Sequence, residues 1–176
     1  MTSEEIFQLL QEKFPNSNFE FKNDFPISPI VVFNGKNLIN ITKFLRDNER
    51  LLFDSLMNLS GVDDNNEKKI KDSDGSEKLI PGTLSVYYHL HSMKLNHKFT
   101  LKVSVQKDNP EVQSVESVWK TADWHEREAF DMFGLKFLNH PNLIRILMPY
   151  DWEEGSHPLR KDFKVPEFYN GMKVPY

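Results

Sequence analysis

A chain of 176 residues is long enough for one domain with a real core and an extension, and short for two full domains. A net charge of −4 and a pI near 5.9 exclude the clustered basic face that binding a nucleic-acid backbone calls for. Zero cysteines exclude disulfides and, on this chain, thiolate ligation of an iron–sulfur cluster.

From the N-terminus, Thr2 or Ser3 can cap a first helix, with Glu5 completing a capping box and Ile6, Phe7, Leu9, Leu10 and Phe14 supplying one apolar face up to Pro15. This acidic, amphipathic start differs from a secretory signal, which is basic and then apolar. No apolar run approaches the roughly 18–20 residues that span a bilayer, so a soluble chain that stays in the cytoplasm is expected. Ile30-Val31-Val32-Phe33 before Asn34-Gly35 reads as a strand entering a tight turn, after which Leu38, Ile39 and Ile41 suggest a second strand or the approach to a helix. Leu45, Leu51, Leu52, Phe53, Leu56, Met57 and Leu59 then recur at helical spacing up to Gly61. Asp63 to Lys78 has no apolar period and reads as an exposed loop; Asp72-Ser73-Asp74-Gly75 within it lacks the spacing and terminal Glu of a calcium loop.

The clearest strands follow. Leu84, Val86, Tyr88 and Leu90 alternate with Ser85, Tyr87, His89 and His91, and Phe99, Leu101, Val103 and Val105 alternate with Thr100, Lys102, Ser104 and Gln106. An antiparallel hairpin with one buried face makes the class α+β, a small antiparallel sheet with helices packed on one face. A helical period returns over Val115, Val118, Trp119, Ala122, Ala129, Phe130 and Phe133 until Gly134. Beyond Pro149 the period is lost, while Pro149, Pro158, Pro166 and Pro175 alternate with Tyr150, Trp152, Phe163, Phe168, Tyr169 and Tyr176. Disordered tails are poor in aromatics, so residues 1–148 are expected to form the core domain and 149–176 an irregular extension that wraps a partner.

Glu126 falls inside the apolar stripe of the Ala122–Phe133 helix, and Asp123, Arg127, Glu128 and Asp131 fall on the polar side, where Arg127 and Asp131 are placed to pair. A carboxylate in the stripe either reaches water at the helix edge or is paired in the interior, and the residues alone leave both open. His125-Glu126 does not continue into HExxH, because position 129 is Ala129. His89 and His91 share a strand face without a third ligand nearby, which reads as surface rather than metal site. Glu126 and Glu128 cannot be a glycosidase pair, since residues two apart on a helix point to different sides. No nucleophile elbow, GxGxxG or GxxxxGK[ST] occurs, so the chain offers no phosphate cradle of either familiar kind for a nucleotide.

The order WKTADWHEREAFDMFG, then FLNHPNLIRIL, then HPLRKDF resembles the thirty-kilodalton, C-type subunit in the peripheral arm of the proton-pumping NADH:quinone oxidoreductase known as respiratory complex I. The residues that carry this resemblance are Glu126, Arg127, Glu128, Asp131, His140, Pro141, Arg145, Pro158, Leu159, Arg160, Lys161 and Asp162. The family's His-Pro-Asp-Leu-Arg-Arg run reads His140-Pro141-Asn142-Leu143-Ile144-Arg145 here, and Ser156 is an extra residue before His157-Pro158. The resemblance implies that these are interface or structural positions and that Glu126 is paired, with Arg145 or Arg160 as partner. It further implies a scaffold on the large D-type subunit of the same arm. NADH, FMN, iron–sulfur centres and quinone would sit on other subunits, proton translocation would fall to the membrane arm, and the membrane would be met only through the assembled complex. The equivalent subunit of a membrane-bound hydrogenase or ferredoxin-fed dehydrogenase is the neighbouring alternative. A stand-alone hydrolase using Glu126, Glu128 or His140 is the alternative of a different class.

Overall fold

A computed structural model describes residues 1–23, 29–71 and 77–175; the Asp72–Gly75 segment and Tyr176 lie outside the described residues. Helix α1 (Ser3–Lys13) opens with the expected box: Thr2 Oγ1 accepts from the Glu5 amide at 3.2 Å, and Glu5 Oε2 accepts from the Thr2 amide at 2.9 Å. Two otherwise unpaired amides are thereby satisfied. Ile6 and Leu10, one turn apart, are buried. Strands β1 (Glu20–Lys22) and β2 (Ile30–Phe33) pair antiparallel. Leu38, Ile41 and Leu45 then lie on the buried side of α2 (Leu38–Asp47), so the segment after Asn34-Gly35 is a helix.

That helix stops at Asp47, and the helical period expected over Leu51 to Leu59 is corrected to a turn and a strand, β3 (Ser55–Asp63). The cause is a bulge. Leu56 opposes Leu90 and Asn58 opposes His89, which leaves Met57 extra, so Leu56 and Leu59 both face the core although three positions apart. An extra residue in a strand thus imitates the i, i+3 spacing of a helix. The Asp63–Lys78 segment expected as loop contains β4 (Lys68–Lys71) paired antiparallel with β5 (Glu77–Ile80). Short Lys-rich strands carry too few apolar residues to show a period.

Strands β6 (Thr83–Ser92) and β7 (His97–Gln106) form the expected hairpin, with Leu84↔Val105, Val86↔Val103, Tyr88↔Leu101 and Leu90↔Phe99 in register. The sheet order is β1-β2-β7-β6-β3, antiparallel except where β2 runs parallel to β7. Ile6 and Leu10 of α1, Leu38, Ile41 and Leu45 of α2 and Ala122 and Ala129 of the third helix share one core with the Leu84, Val86, Tyr88 and Leu90 face. The helices therefore occupy one side of the sheet, as an α+β fold requires.

The third helix sits in a small crossover unit. Strand β8 (Glu111–Gln113) leads through a turn to α3 (Ala122–Phe133) and back to β9 (Lys136–Leu138), which runs parallel to β8 with Val112 opposite Phe137. The helical period expected from Val115 begins as turns, bonded from Val118 and Trp119 to the Val115 carbonyl, and becomes regular helix only at Ala122. Trp119 Nε1 donates to the Phe53 carbonyl at 2.9 Å and ties this unit to the turn before β3. In the extension, β10 (Phe168–Tyr169) and β11 (Met172–Lys173) make a small hairpin.

Helix α3 lies on β3, and Gly61 makes the closeness possible: a Cβ there would sit 2.7 Å from Phe133 Cδ2 and 3.1 Å from Leu135 Cδ1. Gly61→Ala is expected to lower stability by about 1–3 kcal/mol, the cost typical of overpacking. Denaturant unfolding of the full chain measures it, and an unchanged midpoint would refute the close packing.

Candidate functional site

Helix α3 points residues in three directions. Ala122, Glu126 and Ala129 face the core; Arg127 and Asp131 are buried beneath the chain at 140–148; Trp124 and Glu128 face outward. The polar side assigned to Arg127 and Asp131 is therefore corrected, because a later loop covers it. The two do not form the expected pair. Arg127 Nη1 lies 4.0 Å from Asp123 Oδ1, its Nε donates to the Ile144 carbonyl at 3.4 Å, and its guanidinium sits 4.6 Å from the centre of the Trp124 ring.

Glu126 has no exposed surface. Its partners are neither Arg145 nor Arg160. Oε2 accepts from Ser114 Oγ at 2.6 Å and Oε1 accepts from the Val115 amide at 2.7 Å, so the carboxylate holds the turn between β8 and α3. Burial pushes its pKa up to about 7; the two hydrogen bonds pull down, and the Glu116 and Asp123 charges push further up. His140 is buried alongside, its Nε2 3.9 Å from Glu126 Oε2 and 3.3 Å from Asp123 Oδ1. The Asn142 amide donates to His140 Nδ1 at 3.0 Å, which leaves the ring proton of the neutral imidazole on Nε2. Pro141 follows at the exposed turn.

Asp131 fastens the next segment. Its Oδ2 accepts from the amides of Ile146 at 3.1 Å, Leu147 at 2.8 Å and Met148 at 2.9 Å. Three amides converging on one carboxylate oxygen form charge-assisted bonds, stronger than neutral ones. Arg145 points away and donates through Nη1 to the Trp152 carbonyl at 3.3 Å.

The last turn of α3 is closed by the HPLRK segment. Its C-terminal carbonyls need partners from outside the helix. Phe130 O accepts from Gly134, Asp131 O from His157 Nδ1 at 3.2 Å, Met132 O from the Leu159 amide at 3.1 Å and Phe133 O from Arg160 Nε at 2.6 Å. Burial lowers the pKa of His157, in keeping with a neutral ring that donates from Nδ1. The Arg160 cation also complements the negative end of the helix dipole. Gly134 is required here, with φ +72° and space for a Cβ only 2.3 Å from His157 Nε2. Pro158 is half-buried and Leu159 half-exposed, leading into a charged latch. The Lys161 amide donates to Asp63 Oδ2 at 2.9 Å, and Lys107 Nζ lies 3.0 Å from Asp63, 2.9 Å from Glu67 and 3.3 Å from Asp162. Burial raises the Asp63 pKa, but the Lys161 and Asn65 amides and Lys107 outweigh it and hold the group below its ordinary value.

The site thus joins three loops to one helix. Of the residues singled out in the sequence, Glu126, Arg127, Asp131, His140 and Arg160 converge on it, Arg145 and the Lys161 amide bind Trp152 and Asp63 beside it, and Glu128 faces an open groove of about 340 Å³ lined by Asn58, Ser60, His125 and Leu159. Sequence reasoning missed Ser114, Asp123, Asp63 and Lys107. Buried Glu126 is out of reach of a solvent-borne substrate and works here as an acceptor. Among the described residues, no group of three or more His, Asp or Glu is placed to hold a metal, and no helix is long and apolar enough to cross a membrane.

Glu126→Ala strands the Ser114 hydroxyl and Val115 amide and is expected to cost about 2–4 kcal/mol. Glu128→Ala, on the exposed side, should stay within about 0.5 kcal/mol. Equal losses in denaturant unfolding would refute the assignment. Between pH 4.5 and about 7 the folded chain keeps a proton on Glu126 that the unfolded chain releases. Stability from this group is therefore complete below 4.5 and falls as pH rises, by up to about 3 kcal/mol at about 1.4 kcal/mol per pH unit. Glu126→Gln should flatten that slope in unfolding measured from pH 5 to 8.

Residues 31–169 match the family described as respiratory-chain NADH dehydrogenase, 30 Kd subunit. The C-type subunit of NADH-quinone oxidoreductase from Chloroherpeton thalassium is 41% identical over 175 residues, covering 98% of this chain, which spans 65% of that relative's length. The combined C/D-type subunit of the same enzyme from Buchnera aphidicola is 34% identical over 161 residues, covering 89% of this chain and 26% of the relative. The trypsin-resistant fragment of Nqo5 shares the fold, with a TM-score of 0.56 at 20% identity over 81% of this chain and all of the fragment. The chain belongs to the 30 kDa subunit family of the respiratory-chain NADH dehydrogenase.

Proposed function

We propose that this chain is a connecting subunit in the peripheral arm of NADH:quinone oxidoreductase, docked on the large D-type subunit and held at the cytoplasmic face of the inner membrane through the assembled complex. Electrons pass from NADH through FMN and iron–sulfur centres on other subunits to quinone, with proton translocation coupled to that flow, and this chain carries none of those cofactors and no catalytic site of its own. Family membership carries the reading. Its support in the structure is that the polar residues of the motif act as internal fasteners, with Glu126 and Asp131 binding backbone amides in the interior. The names of the relatives favour this complex over a hydrogenase, and the Buchnera relative, named for both C and D parts, supports the D-type subunit as the neighbour.

The docking surface is the extension together with the loop before it. Ile144 is 45% exposed, Leu147 57%, Phe168 58%, Met172 67% and Tyr150 97%, a run of large apolar side chains that a free surface seldom carries. The 149–176 segment is at the same time anchored to the core through His157, Leu159, Arg160 and Lys161, so its partner-binding part is the anchored arm and the β10–β11 hairpin beyond it. Trp152 stiffens that arm, its ring centre 5.8 Å from Tyr169 and 6.4 Å from Phe163.

A chain ending at Phe163 keeps the closing segment of α3 and should unfold with the stability of the full chain. Because aromatic anchors dominate interface energy, it should lose most of its co-purification with the large partner. Normal assembly by the shortened chain, measured by affinity purification, would reject the docking role. Loss of stability with the deletion would show that residues 164–176 belong to the core.

A further inference from the structure

The Glu126 carboxyl is surrounded by acidity. From its own helix Asp123 faces it, from the turn before α3 come Ser114 and Glu116, from β6 Tyr88, and from the loop after β9 His140. The Tyr88 hydroxyl is fully buried without a hydrogen-bond partner, and its pKa is raised first by burial and then by the Glu126 charge. Among the described residues no lysine or arginine forms an ion pair with Glu126, unlike Asp63 with Lys107. An interior carboxylate held only by a hydroxyl and an amide has every electrostatic reason to take up a proton.

We propose that Glu126 is a proton-operated clip that fastens the Ser114–Val115 turn to α3. In the ionised state Glu126 accepts two charge-assisted bonds, at 2.6 and 2.7 Å. When Oε2 takes a proton, Ser114 Oγ can no longer donate to it. That oxygen already accepts the Glu116 amide at 3.2 Å and must now accept from the carboxyl, so its own hydrogen is displaced. The clip changes from a charged clamp to a neutral contact, and no bond between heavy atoms forms or breaks. Solvent is one side chain away, since Asp123 is one-third exposed and His140 Nε2 lies 3.3 Å from its carboxylate and 3.9 Å from that of Glu126.

The clip is tested by NMR titration of the full-length chain with carboxyl-labelled glutamate. The Glu126 carbon and the Val115 amide should titrate together near pH 7, and Glu126→Gln should abolish the Val115 step. Ser114→Ala removes a bond to the charged form and should move the Glu126 midpoint upward by about one pH unit, which a purely structural contact would not do. A Glu126 midpoint in the ordinary range near 4.3 overturns the proposal. So does a Val115 amide that stays fixed while Glu126 titrates, or a midpoint unmoved in Ser114→Ala. Should Glu126→Gln fail to fold, the joint titration and the Ser114→Ala shift decide alone.

Discussion

Backbone amides and carbonyls that leave regular structure must find partners before they can be buried, and in this protein α3 supplies them. Its interior carboxylates accept amides from the turn before it and from the loop after β9, and its terminal carbonyls accept donors from the segment at 157–160. Three stretches of chain without regular pairing of their own are thus organised around one helix of 12 residues. Removing an acceptor leaves a donor unsatisfied in the interior, which is why the charged motif is a matter of folding before it is a matter of recognition.

Three buried carboxylates illustrate three ways of keeping charge inside a protein. Asp63 is matched by a cation, Lys107, as well as by two amides. Asp131 gathers three amides on one oxygen. Glu126 has a hydroxyl, an amide and acidic neighbours, and burial pushes it toward the neutral form.

Much of this was legible in the residues, and what was not has physical causes. The capping box at Thr2 and the alternation of β6 and β7 are local patterns, and the structure follows them. The bulge at Met57 hid β3, because one extra residue converts a period of two into an apparent three. Three-residue strands such as β8 and β9 are shorter than any period, so the crossover that positions α3 has no signature. The place of Glu126 in the apolar stripe was readable, but not whether it reached water or was paired inside, because its partners include a backbone amide, which every residue except proline carries. Arg127 and Asp131 were read as surface because a helical wheel reports which side is apolar and cannot report that a polar side will be roofed by another segment. The family resemblance was carried by the motif order, which survives such ambiguities.

The parallel pairing of β2 with β7 bears on how the chain is made. Ile30 is in register with Thr100, about seventy residues later, and Val31 and Phe33 complete their burial only against Leu101 and Val103. During synthesis at roughly 5–20 residues per second, those apolar side chains wait roughly 4–14 s for their neighbour to be made. The β6–β7 hairpin is local and closes by itself on a microsecond scale once complete, so it is the template onto which the N-terminal third docks. The beginning of the polypeptide is therefore among the last parts to become secure. In that interval its apolar strand is exposed to chaperones and to neighbouring copies, well before any question of assembly arises.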